Sequence, residues 1–187
     1  MHGEQPQIAD IDALSRQFGL DRNTLRDVTD KEELPRLETK DDQLYVFLRS
    51  VLRTKHGEID YGPLLAVLSP RAFLTLSLTN AISDQKIATA AHHTTTDDSE
   101  GLLLATLIAV VTDYEASITK TGRNIKDIGH RLKTHEVDNS DFIRFVTIED
   151  NLGIYSLNLT SMLSVVERLR DNKSYEFSNG NAESIDD

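Results

Sequence analysis

Two hydrophobic rhythms divide the chain near residue 100. In the first part apolar residues come in short dense runs separated by polar or turn-forming residues. The densest run is Leu44-Tyr45-Val46-Phe47-Leu48. Ile11, Leu14 and Phe18 recur at helical spacing and predict a helix over 10–18, which Gly19 can end in a left-handed conformation. Leu20, Leu25 and Val28 predict a second short helix. It must stop ahead of Pro35, because the residue before a proline is pushed out of the helical region. From there the chain reads as strands over 36–39, 43–53, 59–68 and 72–78. Lys40-Asp41-Asp42 supplies turn chemistry for a hairpin between the first two. A weak helix over 80–91 and a polar loop over 92–98 follow, and residues 1–7 are expected to lead straight into the first helix.

Beyond residue 100 the period becomes seven. Leu104, Val111, Ile118, Ile125 and Leu132 form one series, and Leu107, Tyr114, Thr121, Ile128 and His135 its companion. After a polar break over 136–140, Phe145, Leu152, Leu159 and Val166 repeat the pattern, accompanied by Ile148, Tyr155, Met162 and Leu169. So short a break makes the two helices antiparallel, each on the order of 45 to 50 Å long. The fold class expected is therefore α+β: a mixed β-sheet flanked by helices, with a long antiparallel helical hairpin. Its parts are a sheet unit over 1–100, the hairpin over 101–172, and a linker over 173–187 that opens a further helix.

Charge and composition change the picture mainly by exclusion. The 187 residues carry a net charge of −11. That argues against nucleic acid as a partner, since binding to phosphates relies on Lys and Arg. Cysteine is absent, which excludes disulfides and thiolate metal sites. Continuous apolar runs fall short of the 18 or so residues that read as a membrane span, the longest being 101–111. No Gly-x-Ser-x-Gly elbow, phosphate-binding loop or dinucleotide fingerprint is present, and the histidines lack zinc spacing, so an enzyme is not expected.

Phe18-Gly19-Leu20, Leu25-Arg26-Asp27, Leu34-Pro35-Arg36-Leu37-Glu38, Asp41-Asp42 and Leu44-Tyr45-Val46 follow one another in an order similar to that of the soluble domain of the CorA-like divalent-cation transporters. The sheet followed by two long helices extends the resemblance over nearly the whole chain. What it implies is a domain on the cytoplasmic face of the cell membrane that senses Mg²⁺ and gates the pore of a homopentamer. The membrane helices and their Gly-Met-Asn motif would lie beyond Asp187. The resemblance also implies that Asp27 helps hold a regulatory divalent cation between subunits, with Asp186 as partner carboxylate from the adjacent one. Oxygen ligands of this kind suit Mg²⁺, which keeps most of its waters. From spacing alone Asp27 reads as a helix-surface or capping aspartate.

The sequence departs from the family pattern in three places. Leu34 stands where an arginine precedes the proline, and Arg26 where an acidic residue is common. The hairpin tip carries Lys120, Arg123, Lys126, Arg131 and Lys133 against the single Asp127. Two other functions remain compatible with the same residues: transport of another divalent ion such as Zn²⁺ or Co²⁺, and a soluble oligomerisation or signalling scaffold.

Overall fold

A computed structural model describes residues 2–4, 6–53, 59–78, 82–91, 99–134 and 138–171. Its strands are β1 (His2–Glu4), β2 (Arg36–Lys40), β3 (Gln43–Arg53), β4 (Ile59–Ser69) and β5 (Ala72–Ser77). The helices are α1 (Ile8–Phe18), α2 (Arg22–Asp27), α3 (Asp84–Ala91), α4 (Ser99–Thr134) and α5 (Asn139–Arg170). Among the described residues the strands form one sheet in the order β1-β5-β4-β3-β2. β2 to β5 make an antiparallel meander, and β1 runs parallel to β5 with His2 opposite Thr75. The expected mixed sheet is thus present. Its parallel member lies in the stretch that the sequence pattern passes over.

Local chemistry fixes the element ends. Gly19 closes α1 at φ 67°, a left-handed conformation in which a Cβ is costly. Asp21 caps α2 by accepting from the Thr24 N–H at 2.8 Å and the Thr24 hydroxyl at 2.7 Å. Asp41 and Asp42, at φ 48° and 61°, make the two-residue turn between β2 and β3. Left-handed geometry at both positions matches the strand twist, and Asp tolerates it.

The sheet is covered on both faces. Ile11, Leu25 and Val28 of the N-terminal helices and the turn after them pack on Tyr45, Phe47, Leu65 and Val67. The opposite parity, Leu44, Val46, Leu48, Leu64, Ala66 and Leu68, faces α3, α4 and α5. Near the far end of β3 and β4 this parity switches, because Val51 and Tyr61 join the helix-side core. The switch falls where Ser50 pairs with Gly62 and Arg49 with Pro63, without a break in register. A glycine without a side chain and a proline without an N–H suit a bend at that point.

α4 and α5, of 36 and 32 residues, are roughly 54 and 48 Å long. They form the expected antiparallel hairpin in a different phase. The companion series faces the seam: Tyr114, Thr121 and Ile128 on α4, and Ile148, Tyr155, Met162 and Leu169 on α5, are all buried. Val111, Ile118, Ile125, Leu132, Phe145 and Leu152 are exposed instead. Ser117, Asn151 and Asn158 also lie buried along the two helices. Where they leave the sheet the core is polar. Tyr114 and Tyr155 meet edge to face with ring centroids 6.0 Å apart, and the Thr121 and Tyr155 hydroxyls are 3.4 Å apart. In this layer the Tyr61 and Tyr114 hydroxyls, Ser117 Oγ and Asn158 Nδ2 are buried without a hydrogen-bond partner.

By length and mean hydropathy α4 matches a membrane span, although no continuous apolar run in it is that long. Half of its most apolar 18-residue window is buried in the protein, and Leu103, Ala105, Ala109 and Val110 belong to the sheet core. A core helix meets the same compositional test.

Candidate cation site

Asp27 is the last residue of α2, whose Leu25 is fully buried along with the adjoining Val28. That packing fixes where the carboxylate stands. The chain then folds back through turns in which Thr29, Asp30 and Glu33 donate their N–H groups to the carbonyls of Arg26, Asp27 and Asp30. Buried Arg49 holds this loop to the sheet by donating to the Lys31 and Glu33 carbonyls at 3.2 and 3.3 Å.

The return brings Arg36, first residue of β2, to Asp27. Arg36 Nη2 lies 2.6 Å from Asp27 Oδ2 and its Nε 2.6 Å from Glu38 Oε1, while Nη1 pairs with Glu33. Below the guanidinium is the Phe47 ring, 3.9 Å from its centre to the guanidinium carbon. Phe47 is also the residue opposite Arg36 in the β2–β3 ladder. One cation therefore already sits among three carboxylates and over an aromatic face, an arrangement that favours Arg over Lys. The charge ladder continues to Lys40, 3.2 Å from Glu38 and 3.3 Å from Asp21.

The electrostatic shifts follow from these contacts. Partial burial works to lower the Arg36 pKa, but Glu38 and Glu33 outweigh it and the value ends raised. Burial would raise Glu38, and its bonds to Arg36 and Lys40 reverse that and hold it low. Asp21 is held low by the hydroxyl and N–H of Thr24. Arg36, Glu38 and Asp21 are thus each held in their charged forms.

Of the two aspartates singled out from the sequence, Asp27 is placed as described and Asp186 lies outside the described residues. Asp27 is intermediate in exposure, and Oδ2 carries its ion pair. Arg26, beside it in sequence, is exposed, and the pairing cation is Arg36. Among the described residues no group of three or more His, Asp or Glu is arranged to hold a metal. Of the Asp27 carboxylate, Oδ1 is the oxygen outside the ion pair with Arg36. His130 is exposed on α4; His92, His93 and His135 lie outside the described residues.

Sequence reasoning missed Arg36, Glu33 and Glu38 as a unit. The available signal was strand alternation, which puts positions 36 and 38 on one face of β2. A second feature it missed is a groove of about 490 Å³ between α3 and α4, lined in part by Ser83, Thr89, Ile108 and Thr112 and by the 2.6 Å Lys86–Asp113 ion pair.

Sheet, flanking helices and long hairpin define a class of protein: an α+β domain whose second half is a two-helix arm. Solved structures of that class are similar over 99% of this chain. The soluble domain of CorA from Methanocaldococcus jannaschii superposes with a TM-score of 0.81 at 15% identity, and the chain covers 75% of it. The complete CorA magnesium transporter of the same organism gives 0.82 at 15% identity, and the chain spans 59% of its length. The ZntB cytoplasmic domain from Vibrio parahaemolyticus gives 0.71 at 14% identity, with 79% of that domain covered. Curated protein sequences return no match. The chain belongs to the CorA-like Mg²⁺ transporter protein family, whose model matches residues 1–187.

Proposed function

We propose that this chain is the cytoplasmic regulatory domain of a divalent-cation transporter, and that Asp27 contributes to a site where Mg²⁺ bound between subunits restrains the pore. The observation that carries the reading is the family match over residues 1–187. Asp27 is fixed at the end of a short helix anchored by buried Leu25, with one carboxylate oxygen outside its ion pair. Such a ligand binds weakly alone. A cation held jointly by two subunits stabilises whichever assembly brings the carboxylates together, and shifts the population toward it by its differential affinity. Asp186 is the partner carboxylate in this proposal. Arg36 tunes the site, since it competes for the same carboxylate.

The test is limited proteolysis of the assembled, membrane-embedded protein with Mg²⁺ raised through the millimolar range. Wild type is expected to become protected as the cation binds. Asp27→Asn should fold normally and lose most of that protection. Equal protection in both proteins would remove Asp27 from the site and leave the domain as a structural base for the pore.

A further inference from the structure

Phe142 and Ile143 are the two most exposed large apolar side chains among the described residues, at 70% and 66%. They stand near the start of α5, where the hairpin turns back, and Phe145, Val146 and, on α4, Leu132 are exposed at the same end. The turn that carries them is fixed. Asp138 and Asp141 form a capping box at the start of α5, and Arg131 of α4 reaches Asp141 at 2.7 Å. At about 100° per residue Phe145, Phe142, Val146 and Ile143 cover an arc of roughly 160°, opposite the side on which Ile148, Tyr155 and Met162 are buried. The same end is basic. Residues 120–146 hold six Lys and Arg against four Asp and Glu, in a chain whose net charge is −11. Asp138 and Asp141 are engaged in the cap and with Arg131, whereas Lys126, Lys133 and Arg144 are exposed and make no ion pair among the described residues. Lys126 and Lys133 lie on α4 opposite its buried Thr121 and Ile128, on the outer edge of the hairpin away from the apolar arc.

A partner lying along the arm meets one edge or the other. A flat surface met end-on by the tip meets both. The surface that takes apolar side chains and cations together is an anionic bilayer: apolar groups enter the boundary between headgroups and acyl chains, about 5–10 Å deep, while Lys and Arg stay at the level of the phosphates. We propose that the tip of the hairpin docks on the surface of a bilayer containing anionic phospholipid, with Phe142 and Ile143 inserted and Lys126, Lys133 and Arg144 on the lipid phosphates. The acidic remainder of the chain is repelled by the same surface, so the charge distribution turns the tip toward it. That a bilayer is at hand rests on the transporter reading above; Asp27 and Mg²⁺ take no part. So few inserted side chains bind weakly, with half-saturation on the order of a millimolar of accessible lipid.

Co-sedimentation of the chain in EDTA, with vesicles of phosphatidylcholine alone and with vesicles carrying about 30% phosphatidylserine, reads this directly. Binding is expected to the second only, and should fall about tenfold or more between about 0.05 and 0.5 M salt. Lys126→Glu with Lys133→Glu should weaken it about tenfold or more. Phe142→Asp with Ile143→Asp should abolish it while the circular dichroism stays unchanged, since neither side chain is buried. Arg71→Glu, a charge reversal on the exposed turn between β4 and β5, should leave binding as it is. The chain has no tryptophan, so Phe142→Trp supplies a single fluorophore whose emission should shift to the blue on the anionic vesicles. Leu157→Trp, at an exposed position about 22 Å back along α5, should stay unshifted. No binding to the phosphatidylserine vesicles, or binding that both tip variants keep, would overturn the proposal. So would self-association, in place of vesicle binding, that the Phe142/Ile143 variant loses, because the tip would then belong to a second copy. Equal blue shifts in the two tryptophan variants would overturn the end-on geometry. With no divalent cation present, these outcomes are independent of the Mg²⁺ protection experiment, and either reading can fail alone.

Discussion

Removing one oxygen from the polar layer, by Tyr114→Phe, should make the protein more stable, and increasingly so in alkali. The Tyr114 side chain is 1% exposed. Its hydroxyl is buried without a hydrogen-bond partner, although the neighbouring Asn158 carboxamide works to lower its pKa. A buried hydroxyl without a partner carries a desolvation penalty of about 1–3 kcal/mol, so phenylalanine of the same shape should gain on the order of 1 kcal/mol near neutrality. Burial also pushes the Tyr114 pKa up from 10.0 to about 12. The folded phenol keeps its proton where the unfolded one has lost it. Its contribution is therefore complete below the unfolded value and is lost as pH rises through 10 toward 12. At pH 11 ionisation stabilises the unfolded chain by about 1.4 kcal/mol that the folded chain does not recover. Urea unfolding of wild type and Tyr114→Phe at pH 8 and pH 11 reads this directly. The stability gap should widen by about that amount, with all other titrating groups common to both proteins. A destabilised variant at pH 8 would show that the hydroxyl has a partner, and an unchanged gap at pH 11 that it is not desolvated.

Other positions give equally definite expectations. Leu25→Ala empties a fully buried site between α2 and the sheet, and should cost about 2–5 kcal/mol in chemical denaturation. Asp21→Ala removes the α2 cap and should cost about 1 kcal/mol. Because the Asp21 pKa is lowered from 3.8, that contribution is present above the unfolded value and is lost as pH falls through the lower folded one. The variant's acid unfolding curve should be correspondingly flatter. Arg36→Gln leaves Asp27, Glu33 and Glu38 without their shared cation. It should lower the melting temperature in EDTA and recover part of the loss in millimolar Mg²⁺, whereas a Mg²⁺ effect equal to wild type would show that Arg36 does not compete for these carboxylates.

How far the sequence alone reached depended on whether one residue's environment was local. β3 runs over the 43–53 stretch that its β-branched and aromatic content predicts, and α1 begins within two residues of expectation because Gln7, Asp10 and Gly19 punctuate it nearby. The hairpin was legible and its phase was not. Apolarity favours Ile118 and Ile125 for the seam, but close helix packing here takes the small or polar Ser117, Thr121 and Asn158, and leaves the larger residues outside. Asp27 could be placed on its helix from local spacing. Its bond to Arg36 could not, because it depends on a loop held by Arg49 from a third element. β1 was missed for the same reason, since three residues have no pattern of their own and pair with a strand some seventy positions away.

The sheet order also sets a timetable for folding. β2 to β5 are consecutive hairpins, so each strand finds its partner soon after it is made, at little cost in loop closure. β1 has no edge to join until β5 is in place, and His2 must wait for Thr75. Although it precedes the other described strands in the chain, β1 is therefore among the last to dock. It is also the element whose amides should exchange with solvent first, giving the sheet a seam that opens before the meander does.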